Sequence, residues 1–251
     1  MKLERLKNLS RYIYSTINIL LCREILLRLK NWNKNSYVIM FQEIIVENIK
    51  NKKDRYSITK EELEEYILHL QSTGKKIANN IEECFLDRNK VFITFDDGYK
   101  SIKNIVLPIM LKHNIPFTIF IVVDYIGKDG YLTKEDLILL KKSGICKIGS
   151  HSISHPIFSE LSIQEKKREL LESRDKLEKI LNFKVEDFAF PYGSSFAVDK
   201  ISKKLSKEIY KNVFLTTPLC LKKESKYIPR IDIKFYLRRK NDKTSNSSYR
   251  I

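Results

Sequence analysis

Asp96 and Asp97 stand side by side in VFITFDDGYKS, residues 91–101. Adjacent carboxylates repel where water is scarce, so opposite charge is needed beside them. His151 and His155 stand four apart in IGSHSISHP, residues 148–156. Imidazoles at that spacing can turn a ring nitrogen each toward one ion. Pro156 opposes a long helix there, so a tight turn is expected. With a carboxylate from elsewhere they would complete a two-His, one-carboxylate site that leaves positions for water and substrate. Alone, HxxxH is more often two loop histidines with ordinary partners. A carboxylate pair at another strand end is what favours metal. Pro191, Tyr192 and Gly193 lie in FAFPYGS, residues 188–194. The proline fixes the chain and the glycine permits a sharp turn, which can aim a backbone N–H at a developing oxyanion. By itself PYG is only a turn.

These residues need elements to position them. Apolar runs predict strands at 37–41, 91–95, 117–123, 146–149, 188–190, 213–216 and 228–233. Helical periodicity predicts helices at 59–72, 101–113, 134–143, 163–181 and 199–207. Thr59 with Glu62 has capping-box spacing, Thr133 with Asp136 a weaker form, and Gly144 fits the position just past a helix end. Alternating strands and helices imply a mainly parallel sheet, open or closed. In either form ligands gather at the carboxyl ends of the strands. Gln42, Asp96–Asp97, His151–His155 and Pro191–Gly193 all follow such ends.

The chain has 251 residues, 43% apolar, enough for one α/β domain with a sizeable core. The net charge of +16 is concentrated at the ends. Residues 1–34 hold eight Lys/Arg against Glu4 and Glu24, and residues 222–251 hold ten against Glu224, Asp232 and Asp242. Such ends fit an anionic surface or simply a solvated face. Leu3, Leu6, Leu9, Ile13, Ile17, Leu20 and Leu21 make the start a basic amphipathic helix. Its apolar run is too short to span a bilayer and no small-residue cleavage site follows. The expectation is a cytoplasmic protein whose residues 1–30 either pack on the domain or lie at the membrane face. Cys22, Cys84, Cys146 and Cys220 lie far apart, which excludes a zinc-thiolate or disulfide framework. Neither zinc-finger spacing nor an RNP-type aromatic motif is present, so nucleic acid is not the expected partner.

Taken together, TFDDG (94–98), HSISHP (151–156) and PYG (191–193) resemble, in order and chain position, the motifs of the polysaccharide deacetylases, carbohydrate esterase family four, with the nodulation-factor-deacetylase homology domain. The early strand before them is similar to that of the circularly permuted biofilm-polysaccharide deacetylases. The resemblance implies an α/β fold, a distorted (β/α)7-type barrel, spanning residues 36–235. Residues 1–35 would be the amphipathic helical extension and 236–251 a basic, disordered tail. It implies metal-dependent removal of N- or O-acetyl groups from a cell-surface polysaccharide or its precursor, with zinc as the expected ion. Carried over by residue, Asp97, His151 and His155 would hold the metal. Asp96 would be the general base, the Tyr192 N–H would assist at the tetrahedral intermediate, and Pro191 and Gly193 would border the substrate.

The chain departs from that pattern twice. The third motif usually carries an Arg three residues before the proline, where this chain has Phe188, and Arg230 in YIPRIDI is the substitute expected to orient the base. The family's general acid is a histidine, placed early in the permuted subgroup, and VIMFQEI (38–44) has Gln42 there. An amide donates a hydrogen bond but cannot give up a proton near neutral pH. His69 and His113, the remaining histidines, fall on helices, and Glu43 would face away from Gln42 if both lay on one strand. The sequence therefore implies a deacetylase or, alternatively, a weak or inactive glycan-binding relative of one.

Overall fold

The computed structural model describes residues 35–46 and 57–237, apart from 218, 220, 224, 235 and 236. The extension expected over 1–35, save Asn35, and the tail expected over 236–251, save Leu237, lie outside the described residues.

Seven of the described strands close into a parallel barrel. They are β1 (Tyr37–Phe41), β5 (Lys90–Phe95), β6 (Phe117–Ile121), β7 (Cys146–Ser150), β8 (Asp187–Ala189), β9 (Asn212–Thr216) and β10 (Ile228–Asp232). β1 closes the ring, pairing with β5 from Tyr37↔Val91 to Phe41↔Phe95 and with β10 from Val38↔Arg230 to Met40↔Asp232. The first strand of the barrel thus sits between its second and its last. A short β4 (Lys76–Ile77) pairs with the start of β5, and β2 (Ile44–Ile45) pairs with β3 (Ile58–Thr59) beside the rim.

Side-chain alternation sorts each strand into two faces. Outward residues such as Ile39, Phe41, Ile93, Phe95, Ile119 and Phe188 join the helices in the main core. Those helices are α1 (Lys60–Ser72), α3 (Leu107–Lys112), α4 (Lys134–Lys142), α5 (Ile163–Leu181) and α6 (Lys200–Ile209). Inward residues Val38, Phe92, Phe120, Ala189, Phe214 and Ile228 fill the barrel, whose amino-terminal end is plugged by Ala78 and by Ile81 and Cys84 of α2 (Ile81–Leu86). Gly149 faces Phe120: a Cβ there would stand 2.6 Å from its ring, so only glycine admits the phenyl group.

Local signals account for the helix ends. Thr59, Thr133 and Ser162 close capping boxes with Glu62, Asp136 and Glu165, and Gly144 takes φ 77° just past α4. The helix expected over 101–113 is two pieces. Pro108 has no N–H to return to Asn104, and the turn before it, Ile102–Val106, is wound as a π-helix. The strand expected over 117–123 ends at Ile121 because Val123–Tyr125 forms a 3₁₀ turn. β2, β3, β4 and α2 were absent from the expected elements, being too short to show a period. Cys84 and Cys146 are buried free thiols, and Cys22 and Cys220 lie outside the described residues. No described helix is long and apolar enough to cross a membrane.

Candidate active site

Asp96 follows β5 and stays on its ladder, its N–H donating to the Phe41 carbonyl of β1 at 2.9 Å. It continues the inward alternation of Phe92 and Thr94, so its carboxylate enters the barrel mouth. There Arg230, fully buried on β10, meets it with both arms: Nη1 at 2.6 Å from Oδ1 and Nη2 at 2.8 Å from Oδ2. Such a two-point pair fixes the carboxylate plane as well as offsetting its charge. Arg230 is itself held under the ring of Phe120, at 5.2 Å from its centroid.

Asp97 turns the other way. Its φ of 70° and that of Gly98, 84°, reverse the chain at once, with the Gly98 N–H reaching back to the Asp96 carbonyl at 2.9 Å. The two acidic side chains therefore have different main partners, Arg230 for Asp96 and the histidines for Asp97, though His151 Nε2 also lies 3.7 Å from Asp96 Oδ2. Asp97 Oδ1 is buried, makes no hydrogen bond, and lies 3.5 Å from His151 Nε2 and 3.4 Å from His155 Nε2. His151 Nδ1 lies 2.7 Å from the Ala189 carbonyl and must donate to it, which leaves the Nε2 lone pair facing Asp97. Acceptors converging without a donor between them fit a cation. One donor atom from each of Asp97, His151 and His155 lies within 4.8 Å of the others. Hard oxygen plus imidazole nitrogen is a donor set for zinc or a similar divalent ion.

Electrostatics agree with that fit. Burial pushes the His151 imidazole below its ordinary pKa, and His155 and Arg230 push the same way against Asp96 and Asp97. A neutral ring with a free lone pair is the ligating form. Burial raises the Asp97 carboxyl, but the two histidines and Arg230 outweigh it and leave the pKa below the usual carboxylate value. The ionised form, again, is the ligating one.

The third motif borders the same mouth. Pro191 is buried, Tyr192 has φ 60°, and Gly193 has φ 54°. The Gly193 N–H turns back to the Pro191 carbonyl at 2.7 Å, and its own carbonyl accepts from Thr216 N–H at 2.9 Å. A Cβ on Gly193 would come within 2.4 Å of the Thr216 nitrogen, so the turn requires glycine twice over. The half-exposed Tyr192 ring meets His155 edge-on at 4.8 Å.

Two expectations change. Position 188 could not have held an Arg that reaches the base, because Phe188 faces outward among Phe158, Phe190 and Tyr210. The inward position of β8 is Ala189. Gln42 and Glu43 lie between β1 and β2, on neither strand, so strand alternation does not separate them. Both are half-buried at the mouth, next to the Phe41 that pairs with Asp96. His69 is exposed on α1 and His113 ends α3, away from the rim.

Sequence reasoning missed an aromatic wall. Tyr125 stacks near His155 at 6.4 Å and meets Tyr131 at 4.6 Å, which stacks on Tyr99 at 5.0 Å. Tyr99 directly follows Asp97–Gly98 in sequence, but Tyr125 and Tyr131 arrive on the loop after β6, with no spacing to announce them.

The chain is similar to known proteins in sequence and in fold. YxkH of Bacillus subtilis (strain 168) is 27% identical over 143 residues, covering 54% of this chain and 51% of that one. The poly-beta-1,6-N-acetyl-D-glucosamine N-deacetylase of Staphylococcus aureus (strain N315) is 26% identical over 179 residues, covering 63% and 59%. The chain thus spans little more than half the length of these curated relatives. The solved structure of IcaB from Ammonifex degensii superposes with a TM-score of 0.70 at 19% identity, covering 79% of this chain and 91% of that one, a likeness of fold. The family model described as polysaccharide deacetylase matches residues 86–212, half of the chain and the stretch that carries both the acidic pair and the histidine pair. On that match, the chain belongs to the polysaccharide deacetylase family.

Proposed function

We propose that this chain hydrolyses acetyl groups from a glycan, a cell-surface polysaccharide or its precursor, with a divalent ion, zinc by its donor set, held by Asp97, His151 and His155. The observation that carries the reading is the orphaned Asp97 Oδ1 facing two imidazole nitrogens, one of them 3.7 Å from the Asp96 carboxylate that Arg230 holds. When bound, such an ion makes a water acidic and polarises the acetyl carbonyl. Asp96 is assigned the general base that accepts the proton of the attacking water. Arg230 fixes the direction of its oxygens, and Thr94 Oγ1, which donates to the Ile39 carbonyl at 2.9 Å, supports the same mouth. We assign the oxyanion contact to the Tyr192 N–H, supported by the turn at Pro191 and Gly193 beside His155. Tyr125, Tyr131 and Tyr192 offer ring faces and edges that suit the apolar face of a sugar.

Gln42 favours a second reading, a glycan-binding protein with little or no turnover. Absence of a general acid costs about 10² to 10⁴ in rate. An alkoxide leaving group tolerates this better than an amine, so O-acetyl groups would suffer less than N-acetyl groups. Acetate release from acetylated glycans distinguishes the readings. Wild-type release that chelation and Asp96→Asn both abolish supports the enzyme. A silent wild type that Gln42→His awakens supports the binding protein.

A further inference from the structure

The two candidate ligand histidines are separated by only three residues, Ser152, Ile153 and Ser154, in a loop that is neither helix nor strand. Ser152 and His155 adopt φ of 72° and 61°, in the left-handed region that non-glycine residues enter at a cost. Such a loop persists only where its surroundings over-determine it. Its carbonyls are tied down by the turn after β6: Ser152 accepts from the Val123 N–H at 3.2 Å and Ile153 from the Asp124 N–H at 2.9 Å. Its outer N–H groups are served locally, Ser152 by the Ser150 hydroxyl at 3.3 Å and His155 by the Ser152 hydroxyl at 3.1 Å.

The two central N–H groups have one acceptor between them. Oε2 of Glu169 accepts from Ile153 at 2.8 Å and from Ser154 at 3.1 Å, while Oε1 accepts the Ser154 hydroxyl at 2.8 Å. Glu169 projects from the middle of α5 and is 3% exposed. One turn further along the same helix face, Ser173 bonds the Ser150 hydroxyl at 2.9 Å. A single helix therefore holds the end of β7 through Ser173 and the loop through Glu169, at the residues that lie between the two histidines in sequence. Without it, the buried Ile153 N–H would lose its partner and the part-buried Ser154 N–H and hydroxyl would lose theirs, and the loop would move to satisfy the buried group.

We propose that Glu169 is the positioning residue of the candidate metal site: it holds the 151–155 loop in the strained form that turns both imidazoles toward Asp97. The inference rests on the reading of Asp97, His151 and His155 as metal ligands. It concerns hydrogen bonding, not charge. In Glu169→Gln the amide oxygen can take both N–H groups while the amide nitrogen donates to the Ser154 hydroxyl, so the loop keeps all three contacts.

Cobalt(II) titration of the full metal-free chain, followed by visible absorption and by zinc competition, tests this. Glu169→Ala should weaken cobalt(II) binding by about 10- to 100-fold and alter the absorption band. Glu169→Gln should restore affinity and band to those of the wild type. Wild-type affinity and band in Glu169→Ala, even with a lower melting temperature, would overturn the role and leave the metal reading standing. A Glu169→Gln as weak as Glu169→Ala would overturn it too, because charge would then be what matters. A wild type that takes up no cobalt(II) or zinc would overturn the metal reading and this inference with it. If Glu169→Ala does not fold, Glu169→Asp, one methylene short of the loop, is read by the same outcomes.

Discussion

Asp96 and Asp97 are neighbours in sequence with opposite assignments in space. Alternation sends Asp96 inward to Arg230, and a positive φ turns Asp97 onto the rim toward the histidines. The pair with Arg230 is buried on both sides, so removing one partner strands a charge. Arg230→Ala is expected to destabilise the protein by about 3–5 kcal/mol, measured by denaturant unfolding, and to abolish acetate release. Arg230→Lys keeps the charge but not the two-point contact, and should retain more stability than activity. At position 42 the expected change runs the other way. Gln42→His should raise the rate of N-acetyl hydrolysis by about 10²-fold or more and bring in a pH limb near that of an imidazole, read from a pH–rate profile. The acidic pair and the histidine pair were legible as residues, since few other roles demand those types at strand ends. Arg230 was legible only as a substitute for a missing group. The outward direction of Phe188 and the reach of Glu169 were not, because no local pattern encodes a contact with a residue 15 or 16 positions away on a helix.

At the scale of elements, caps and turns hold the site's frame. Asp136 caps α4 and also receives Lys100 and Lys103, the latter at 2.6 Å, tying the helix to the chain after the acidic motif. Burial raises the Asp136 carboxyl, but the two lysines and the Thr133 N–H overcome it and hold the pKa well below the usual value. A depressed carboxylate stabilises the fold above its unfolded pKa, and that stability fades as pH falls through the folded one. Asp136→Asn should therefore cost about 1–2 kcal/mol at neutral pH, and the difference from wild type should start to shrink as pH falls below about 4, the unfolded carboxylate value, and close only as pH passes the depressed folded one, followed by melting across pH. In the PYG turn, Gly193→Ala meets both a positive φ and the Thr216 backbone. It should cost about 1–3 kcal/mol and depress activity more than Ser194→Ala beside it, read by unfolding and acetate release in parallel. Long helices were legible from period and caps. The two-residue strands and the six-residue α2 were not, having too few residues to establish a period.

Across the whole molecule, most of the excess positive charge lies at the two ends of the chain. We propose that residues 1–30 rest on an anionic membrane surface, at the cytoplasmic face. The full chain should then co-sediment with vesicles containing phosphatidylserine at low salt and release as salt rises, whereas neutral vesicles should leave it in solution. Equal binding to both would discard the idea. The sequence by itself determined the alternation of strands and helices, the strand-end position of every motif, and the residue types available for chemistry. Those properties are local: hydrophobic period, capping spacing and turn residues act over a few positions. Periodicity left the sheet open or closed and only the motif resemblance implied a barrel; the tertiary structure shows the closure, with β1 pairing both β5 and the distant β10. Closure then decided which side chains meet. It brings Arg230 to Asp96 across 134 positions, sets Asp97 against His151 and His155, and puts Glu169 behind them. Pairing across such separations depends on strand register and barrel diameter, which no stretch of sequence carries alone.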